Sequence, residues 1–509
     1  MLPQMATSKG PAEARLAIDR FLSIAQQPAL IEAGELPMSI TAETFLLTGS
    51  ENILKIECWS ETRNLVRRVR GVREERKRLV ELEVERFGAQ SGSLTLIDLA
   101  WSANAHVARH GVRLRFRERF RRALRRQFPN WRLAELSTEP DLQHSLSPSF
   151  PRAFLRKGGA GLAAIGAAED AFDPDGALSF GLIWLDYLRK RDPQLTIEGL
   201  AIFLPAGAES NACHRVRYLD PKRAQYFVFV HSLDGHEDGV DPRDYTNFST
   251  RLDACRQPLS GSSRHLESWV ERLALVDGVQ RRNSPDGSVS LAVHGLEFAR
   301  AVAGTLTFGI DRKHAALEEH LPEIERLASE LVRMRGADAA DRTNPLYLRH
   351  PEVWLEAQVR ANLERIDAML LPDPVYGQAP QFASGERSII DLLVCSREGK
   401  LVVIEVKADQ DIHLPLQALD YWMRVKWHLE RDEFQGRGYF PGIELCRDPP
   451  RLLLVAPALE FHPSNETVLG FLSPEVEVIR IGVGLEWRKE LRVVSNSCAP
   501  YARRRIWPS

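Results

Sequence analysis

Lysine is scarce in this sequence. Only eleven of the 67 basic residues are lysines, so a lysine at a defined place in a motif carries unusual weight. Cysteine is scarce too. The six cysteines (Cys58, Cys213, Cys255, Cys395, Cys446, Cys498) are scattered and form no CxxC pair, which argues against a disulfide framework or a structural zinc site. No stretch approaches the roughly 18 apolar residues of a membrane-spanning helix. The opening MLPQMATSKGPAEARLAIDRFLS lacks the uninterrupted apolar core of a signal peptide. Together these absences lead us to expect a cytoplasmic protein. A net charge of -2 excludes any global attraction to polyanions, so a basic surface must be local. The first 340 residues contain no phosphate loop, no HExxH and no GxSxG, which speaks against a nucleotide-driven motor.

A chain of 509 residues exceeds what a single core usually holds, so several domains are expected. Residues 1–140 read as an N-terminal α+β region: a short first helix, a hairpin formed by ETFLLTG and ENILKIECWS, a charged run from Arg63 to Arg78, the strand SLTLIDLAW, and a basic helix over about 113–128 that stops at Pro129. Residues 141–260 read as an α/β region with a helix (ALSFGLIWLDYLRKR) and two strands (TIEGLAIFLP, AQYFVFVHSL). Residues 261–340 read as a small, mainly helical connector ending in HLPEIERLASELVRMR, followed by the linker-like GADAADRTNP. No internal repeat stands out. The overall expectation is an α/β protein with an α+β N-terminal region.

Residues 345–509 are the most legible. A helix opens near Pro351, with Leu355, Val359, Leu363, Ile366 and Leu370 at helical spacing. Strands follow at VYGQAPQF, SIIDLLVCS and KLVVIEVKA, then a helix over about 414–431, then strands RLLLVAP and VEVIRIGV. This is an αβββαβ order with one further strand. On a strand the side chains alternate, so Glu405 and Lys407 face the same way. Charges on so apolar a strand are costly to bury without partners. The tripeptide ExK is weak alone, since Glu75-Arg76-Lys77 repeats it inside the charged run. The second copy differs in having Asp391 on the preceding strand, fourteen residues before Glu405. Two carboxylates and a lysine at one end of a sheet suit phosphodiester hydrolysis, because carboxylate oxygens hold Mg²⁺ or Mn²⁺.

The run IIDLLVCSREGKLVVIEVK resembles the core of the PD-(D/E)xK nuclease superfamily, in its RecB-like and NucS-like branches, although Ile390 stands where the motif's proline is often found. The resemblance implies a restriction-endonuclease-like αβββαβ core with a mixed sheet. It implies Asp391 and Glu405 as metal ligands, the Val406 carbonyl as a further ligand, and Lys407 as the group that positions the attacking water. Gln417 and Tyr421 in QALDY form the QxxxY pair of RecB-like members, four apart on one helical face. Glu356 is our choice for the first-helix glutamate that completes the metal shell, with Glu352 as its rival; either could instead serve the helix dipole. Asp411 is expected to cap the following helix, and His413 to be a loop residue.

The expected function is a metal-dependent nuclease acting on DNA, with RNA open, in repair, recombination or defence. The alternative is a catalytically inactive nucleic-acid-binding protein on the same fold. The N-terminal regions are expected to recognise substrate or to bind a second copy or a protein partner. In the basic helix, Phe116, Phe120 and Leu124 form a core stripe, and Arg113, Arg117, Arg121, Arg122 and Arg125 are candidates for phosphate contacts. A merely solvated helix is the competing account of those arginines.

Overall fold

The computed structural model describes residues 10–32, 38–50, 53–59, 64–76, 79–86, 90–98, 105–141, 143–168, 173–231, 236–243, 250–259, 261–377 and 391–498. Among these residues the chain is mixed α/β with four sheets. It divides into two compact units, Met1–Ala206 with Phe229–Gly239, and Gly207–Val228 with Val240–Ser509.

Helix α1 (Pro11–Ile24) packs on a seven-stranded antiparallel sheet: β1 (Pro28–Glu32), β2 (Met38–Ser39), β3 (Phe45–Ser50), β4 (Ile53–Trp59), β5 (Asn64–Arg76), β6 (Leu79–Arg86) and β7 (Gln90–Asp98). The charged run is therefore largely a strand. Leu65, Val69 and Val72 of β5 enter the core while Arg68, Arg70 and Arg73 face water, and the density of arginine masks the alternation in sequence.

Next come α2 (Ala105–Gln127), β8 (Arg132–Ser137), β9 (Arg152–Lys157), β10 (Ala160–Gly166), α3 (Gly176–Arg191), β11 (Thr196–Pro205), α4 (Glu209–Arg217), β12 (Gln225–His231) and β13 (Glu237–Val240). The sheet runs β8 to β13 in sequence order, antiparallel from β8 to β10 and parallel between β10 and β11. The basic helix starts earlier than expected. Its stripe of Phe116, Phe120 and Leu124 is buried, as its spacing requires.

The stretch 261–340 corrects the expectation of a mainly helical connector. Between α5 (Arg264–Ala274) and α6 (Leu321–Arg335) lie five antiparallel strands: β14 (Val279–Asn283), β15 (Val289–Val293), β16 (Leu296–Val302), β17 (Thr305–Phe308) and β18 (His314–Ala315). The overlooked signal is two tight turns. His294-Gly295 and Ala303-Gly304 each place both residues at positive φ, 44 and 79°, then 48 and 82°, the geometry of two-residue hairpins. Arg335, at the end of α6, is fully buried. Its guanidinium lies 4.7 Å from the centroid of a Trp354 ring and donates to the carbonyls of Leu346 (2.5 Å), Arg349 (2.6 Å) and His350 (3.3 Å).

The last region holds α7 (Pro345–Leu348), α8 (Pro351–Ala361), α9 (Leu363–Ile366), β19 (Tyr376–Gly377), β20 (Leu392–Cys395), β21 (Leu401–Val406), α10 (Leu414–Leu429), α11 (Glu433–Gly436), β22 (Arg451–Pro457), α12 (Pro463–Leu469), β23 (Val478–Val483) and β24 (Val493–Cys498). The single helix expected from Pro351 breaks at Asn362, whose backbone is non-helical, yet Leu355, Val359, Leu363, Ile366 and Leu370 still share one core. Residues 378–382 and 388–390 of the expected strands lie outside the described residues. The sheet runs β19 to β24, antiparallel except for the parallel pairs β21/β22 and β22/β23. The two six-stranded sheets thus share one strand order. That repeat of architecture is not visible as a repeat of sequence.

Candidate active site

Strand β21 is buried along its whole length. Val402, Ile404 and Val406 join the core formed with Trp354, Leu355 and Val359 of α8. By alternation Leu401, Val403 and Glu405 occupy the opposite face, against which α10 packs, and Lys407 continues that set beyond the strand's end. Strand β20 stops short. Its last pair is Leu392 with Ile404, and Asp391 stands just before it. The Asp391 carboxylate takes over where the ladder ends, accepting the Val406 N–H at 2.8 Å. One hydrogen bond thus ties Asp391 to the residue between Glu405 and Lys407.

Lys407 Nζ stands among three carboxylates: 3.8 Å from Glu352, 3.9 Å from Glu405 and 3.8 Å from Asp411. Glu405 is 3% exposed, and its Oε2 is buried with no hydrogen-bond partner. Leaving such an oxygen dry and unpaired costs about 1–3 kcal/mol or more. Burial, reinforced by the neighbouring Asp391 carboxylate, raises the Glu405 carboxyl well above its ordinary range. Burial pushes Asp391 up to about 7, against the Val406 hydrogen bond, which favours the charged form. Glu352 is raised as well, by partial desolvation, although its side chain is 48% exposed. For Lys407 burial opposes the charge, but Glu352, Glu405, Asp411 and Asp391 together outweigh it and the ammonium is raised.

The two glutamates of α8 part company. Glu352 is the one that approaches Lys407. Glu356 is held by Arg282 of β14 (3.0 Å) and by Arg360 one turn along α8 (3.3 Å), and Arg360 also donates to the Val375 carbonyl at 3.0 Å. A Cβ at Gly377 would lie 2.1 Å from Arg360 Nη2, so a larger residue there would displace that guanidinium. Glu356 still acts electrostatically on Asp391. Arg282 and Arg360 were missed in sequence. Nothing local marks Arg282, which stands 74 residues before Glu356.

Gln417 and Tyr421 are half-buried on α10. Burial and the charges of Glu405 and Asp391 raise the Tyr421 phenol, so it keeps its proton and remains a donor. Asp411 is not the helix cap; His413 holds that position, and Asp411 accepts the His413 N–H at 2.8 Å while its other oxygen faces Lys407. Among the described residues no group of three or more His, Cys, Asp and Glu is gathered closely enough to hold a metal ion.

The chain matches no protein-family model, no curated protein and no solved structure.

On the basic helix, the Arg113 side chain lies outside the described residues. Arg117 reaches the Leu136 carbonyl at 3.5 Å, Arg121 pairs with Glu118 at 3.5 Å, and Arg122 donates to the Glu118 carbonyl at 3.4 Å. Arg125 is exposed, and Arg126 is bound by Glu237 through both of its carboxylate oxygens. The helix therefore spends part of its charge on internal partners.

Proposed function

We propose that residues 351–498 form a restriction-endonuclease-like nuclease domain of the PD-(D/E)xK kind, which hydrolyses phosphodiester bonds of DNA. The observation that carries this reading is the meeting of Asp391, Glu405 and Lys407 at one end of β21, with a Glu405 oxygen buried and unpartnered. A dry, orphaned carboxylate oxygen beside a second carboxylate is a hard, anionic oxygen donor set, which suits Mg²⁺ or Mn²⁺. Asp391, Glu405 and the Val406 carbonyl would hold the ion. When bound, it supplies charge neutralisation at the phosphate and a water of lowered pKa.

The chain's own groups account for the rest. Lys407 sits at 3.8–3.9 Å from its carboxylates, so its donors are free to orient an attacking water and to offset charge developing on the phosphate. Glu352 and Asp411 keep the ammonium charged and centred. Tyr421 and Gln417, one helical turn apart, would present a hydrogen-bonding edge to the strand being cut. Glu356 is engaged by its two arginines and would bear on Asp391 through its charge rather than as a ligand. Arg117, Arg121, Arg122 and Arg125 would add phosphate contacts.

The test is a cleavage panel on the full chain with single-stranded and duplex DNA and with RNA, in Mg²⁺, Mn²⁺ or chelator. Metal-dependent cleavage that Lys407→Ala removes is the expected result. No cleavage of any substrate in either metal would sink the enzymatic reading and leave a nucleic-acid-binding protein on a nuclease-like fold.

A further inference from the structure

The domain just described has a counterpart within the chain. The elements α2, β8, β9, β10, α3 and β11 repeat the order α8, β19, β20, β21, α10 and β22, with the same two antiparallel pairs and the same parallel third pair. Backbone hydrogen bonds align the two copies residue by residue. Lys407 N–H donates to the Val455 carbonyl at 3.0 Å, as Ala167 N–H does to Phe203 at 2.9 Å. Val406 N–H is taken by the Asp391 side chain where Gly166 N–H meets the Pro151 backbone carbonyl at 2.9 Å, so on this strand the correspondence is fixed by the register, which pairs Leu392 with Ile404 and Ala153 with Ala164. One strand further on, Ala458 N–H donates to Val483 (2.9 Å) and Ala206 N–H to His231 (3.2 Å).

Once aligned in this way, the sequences agree at scattered points. Pro205-Ala206 falls on Pro457-Ala458, where each strand closes. Ser210-Asn211 corresponds to Ser464-Asn465, and Tyr218-Leu219-Asp220-Pro221 to Phe471-Leu472-Ser473-Pro474. Leu-Asp-Tyr recurs at 185–187 in α3 and at 419–421 in α10. The two corresponding turns also bond reciprocally: Asp220 N–H donates to Phe471 (2.8 Å) and Ser473 N–H to Tyr218 (2.7 Å).

The catalytic positions are where the copies differ. Ile165 stands at the place of Glu405 and Ala167 at that of Lys407. Arg152, paired across the strands with Ile165, stands at the place of Asp391. Neither Ile165 nor Ala167 can ligate a metal or hold a water. Arg152 is 6% exposed, and its Nε and Nη1 are buried without a hydrogen-bond partner. Its guanidinium lies 5.5 Å from the centroid of a Trp184 ring. Of the carboxylates whose charge reaches Arg152, Asp141 is engaged by His144 (2.9 Å) and Glu135 by Arg191 (2.9 Å), while Glu139 is exposed to solvent. A buried guanidinium with idle donors is destabilising unless something occupies them, and a phosphate fits that fork.

We propose that residues 105–240 are a duplicated, non-catalytic copy of the nuclease body, and that its former centre binds a phosphate group of a nucleic-acid strand through Arg152. This rests on the nuclease reading of residues 351–498. The charge at the centre has been inverted, from a cation site to an anion site.

The experiment measures binding of a labelled single-stranded oligonucleotide by the full chain carrying Glu405→Gln, over a range of salt, with and without Arg152→Met or Arg152→Lys. Arg152→Met should weaken binding roughly tenfold and reduce the slope of log K against log salt by about one, while Arg152→Lys keeps most of both. The melting temperature of Arg152→Met should stay level or rise, because an apolar chain replaces an unpaired buried charge. Unchanged affinity and slope would overturn the proposal and leave the copy as scaffold. So would inorganic phosphate that stabilises the parent chain, but not Arg152→Met, without competing for the oligonucleotide. If the parent chain binds no nucleic acid at all, the nuclease reading itself falls.

Discussion

The two six-stranded bodies share a strand order and differ at the one end of the sheet where chemistry could occur. In the C-terminal body Asp391, Glu405 and Lys407 converge, and one Glu405 oxygen is kept dry and without a hydrogen bond at an energetic cost. In the N-terminal body the same places hold Arg152, Ile165 and Ala167. The comparison separates what the fold demands from what the reaction demands. Alternation, hairpins and the parallel crossover are satisfied equally by both sets of residues, so fold alone says nothing about activity.

The sharpest way to break the comparison is at the residues that distinguish the copies. Glu405→Ala or Lys407→Ala should lower metal-dependent cleavage by about a thousandfold or more while nucleic-acid affinity stays nearly level, read from initial rates and from binding in chelator. A variant that retains cleavage would show that the C-terminal centre is not the active one.

A smaller effect should follow from Gly377→Ala. Its new Cβ would fall 2.1 Å from Arg360 Nη2 and disturb the Arg360–Glu356 contact behind Asp391. A loss of about 1–3 kcal/mol in unfolding free energy is expected, together with reduced cleavage. Full activity at wild-type stability would remove Glu356 and Arg360 from any positioning role.

The carboxyl pair also predicts a dependence on pH. Asp391 at about 7 and Glu405 well above its ordinary value both bind protons more tightly in the native state than in the unfolded chain. Their contribution is therefore present at acid pH and lost as pH rises from about 4 through 7. Glu405→Gln should raise the melting temperature by a few degrees at pH 8 and hardly at all at pH 5. A gain equal at both values would show that Glu405 carries no such strain.

The smallest effect concerns the basic helix. Reversing Arg121 and Arg122 to glutamate should weaken DNA binding several-fold and flatten its salt dependence. Because both arginines already contact Glu118, unchanged binding would assign that face to helix stability alone.

Much of the C-terminal body was legible in sequence. The αβββαβ order, the shared face of Glu405 and Lys407, and the core stripe from Leu355 to Leu370 follow from periodicities of 2 and 3.6. Less visible were features set by distance along the chain. Glu356 and Glu352 lie one turn apart on α8, and only the approach of Arg282 from β14 shows that Glu356 is occupied while Glu352 faces Lys407. The five-stranded sheet was hidden because its strands are short and its two-residue turns carry histidine and alanine before glycine rather than the usual asparagine. The duplication was hidden because hydrogen-bond register conserves backbone positions while side chains are exchanged freely.

Arg335 has a practical consequence for dissecting the molecule. Residues 336–344 look like a natural place to cut, and a fragment starting at 345 would keep every proposed catalytic residue. It would lose the guanidinium that gathers the carbonyls of Leu346, Arg349 and His350 and roofs Trp354, and with β14 it would lose Arg282. Trp354 would then face water, and Glu356 would lose one of its two cations. The smallest portable form of the C-terminal body should therefore begin before α5, near residue 261, and carry the five-stranded sheet with it.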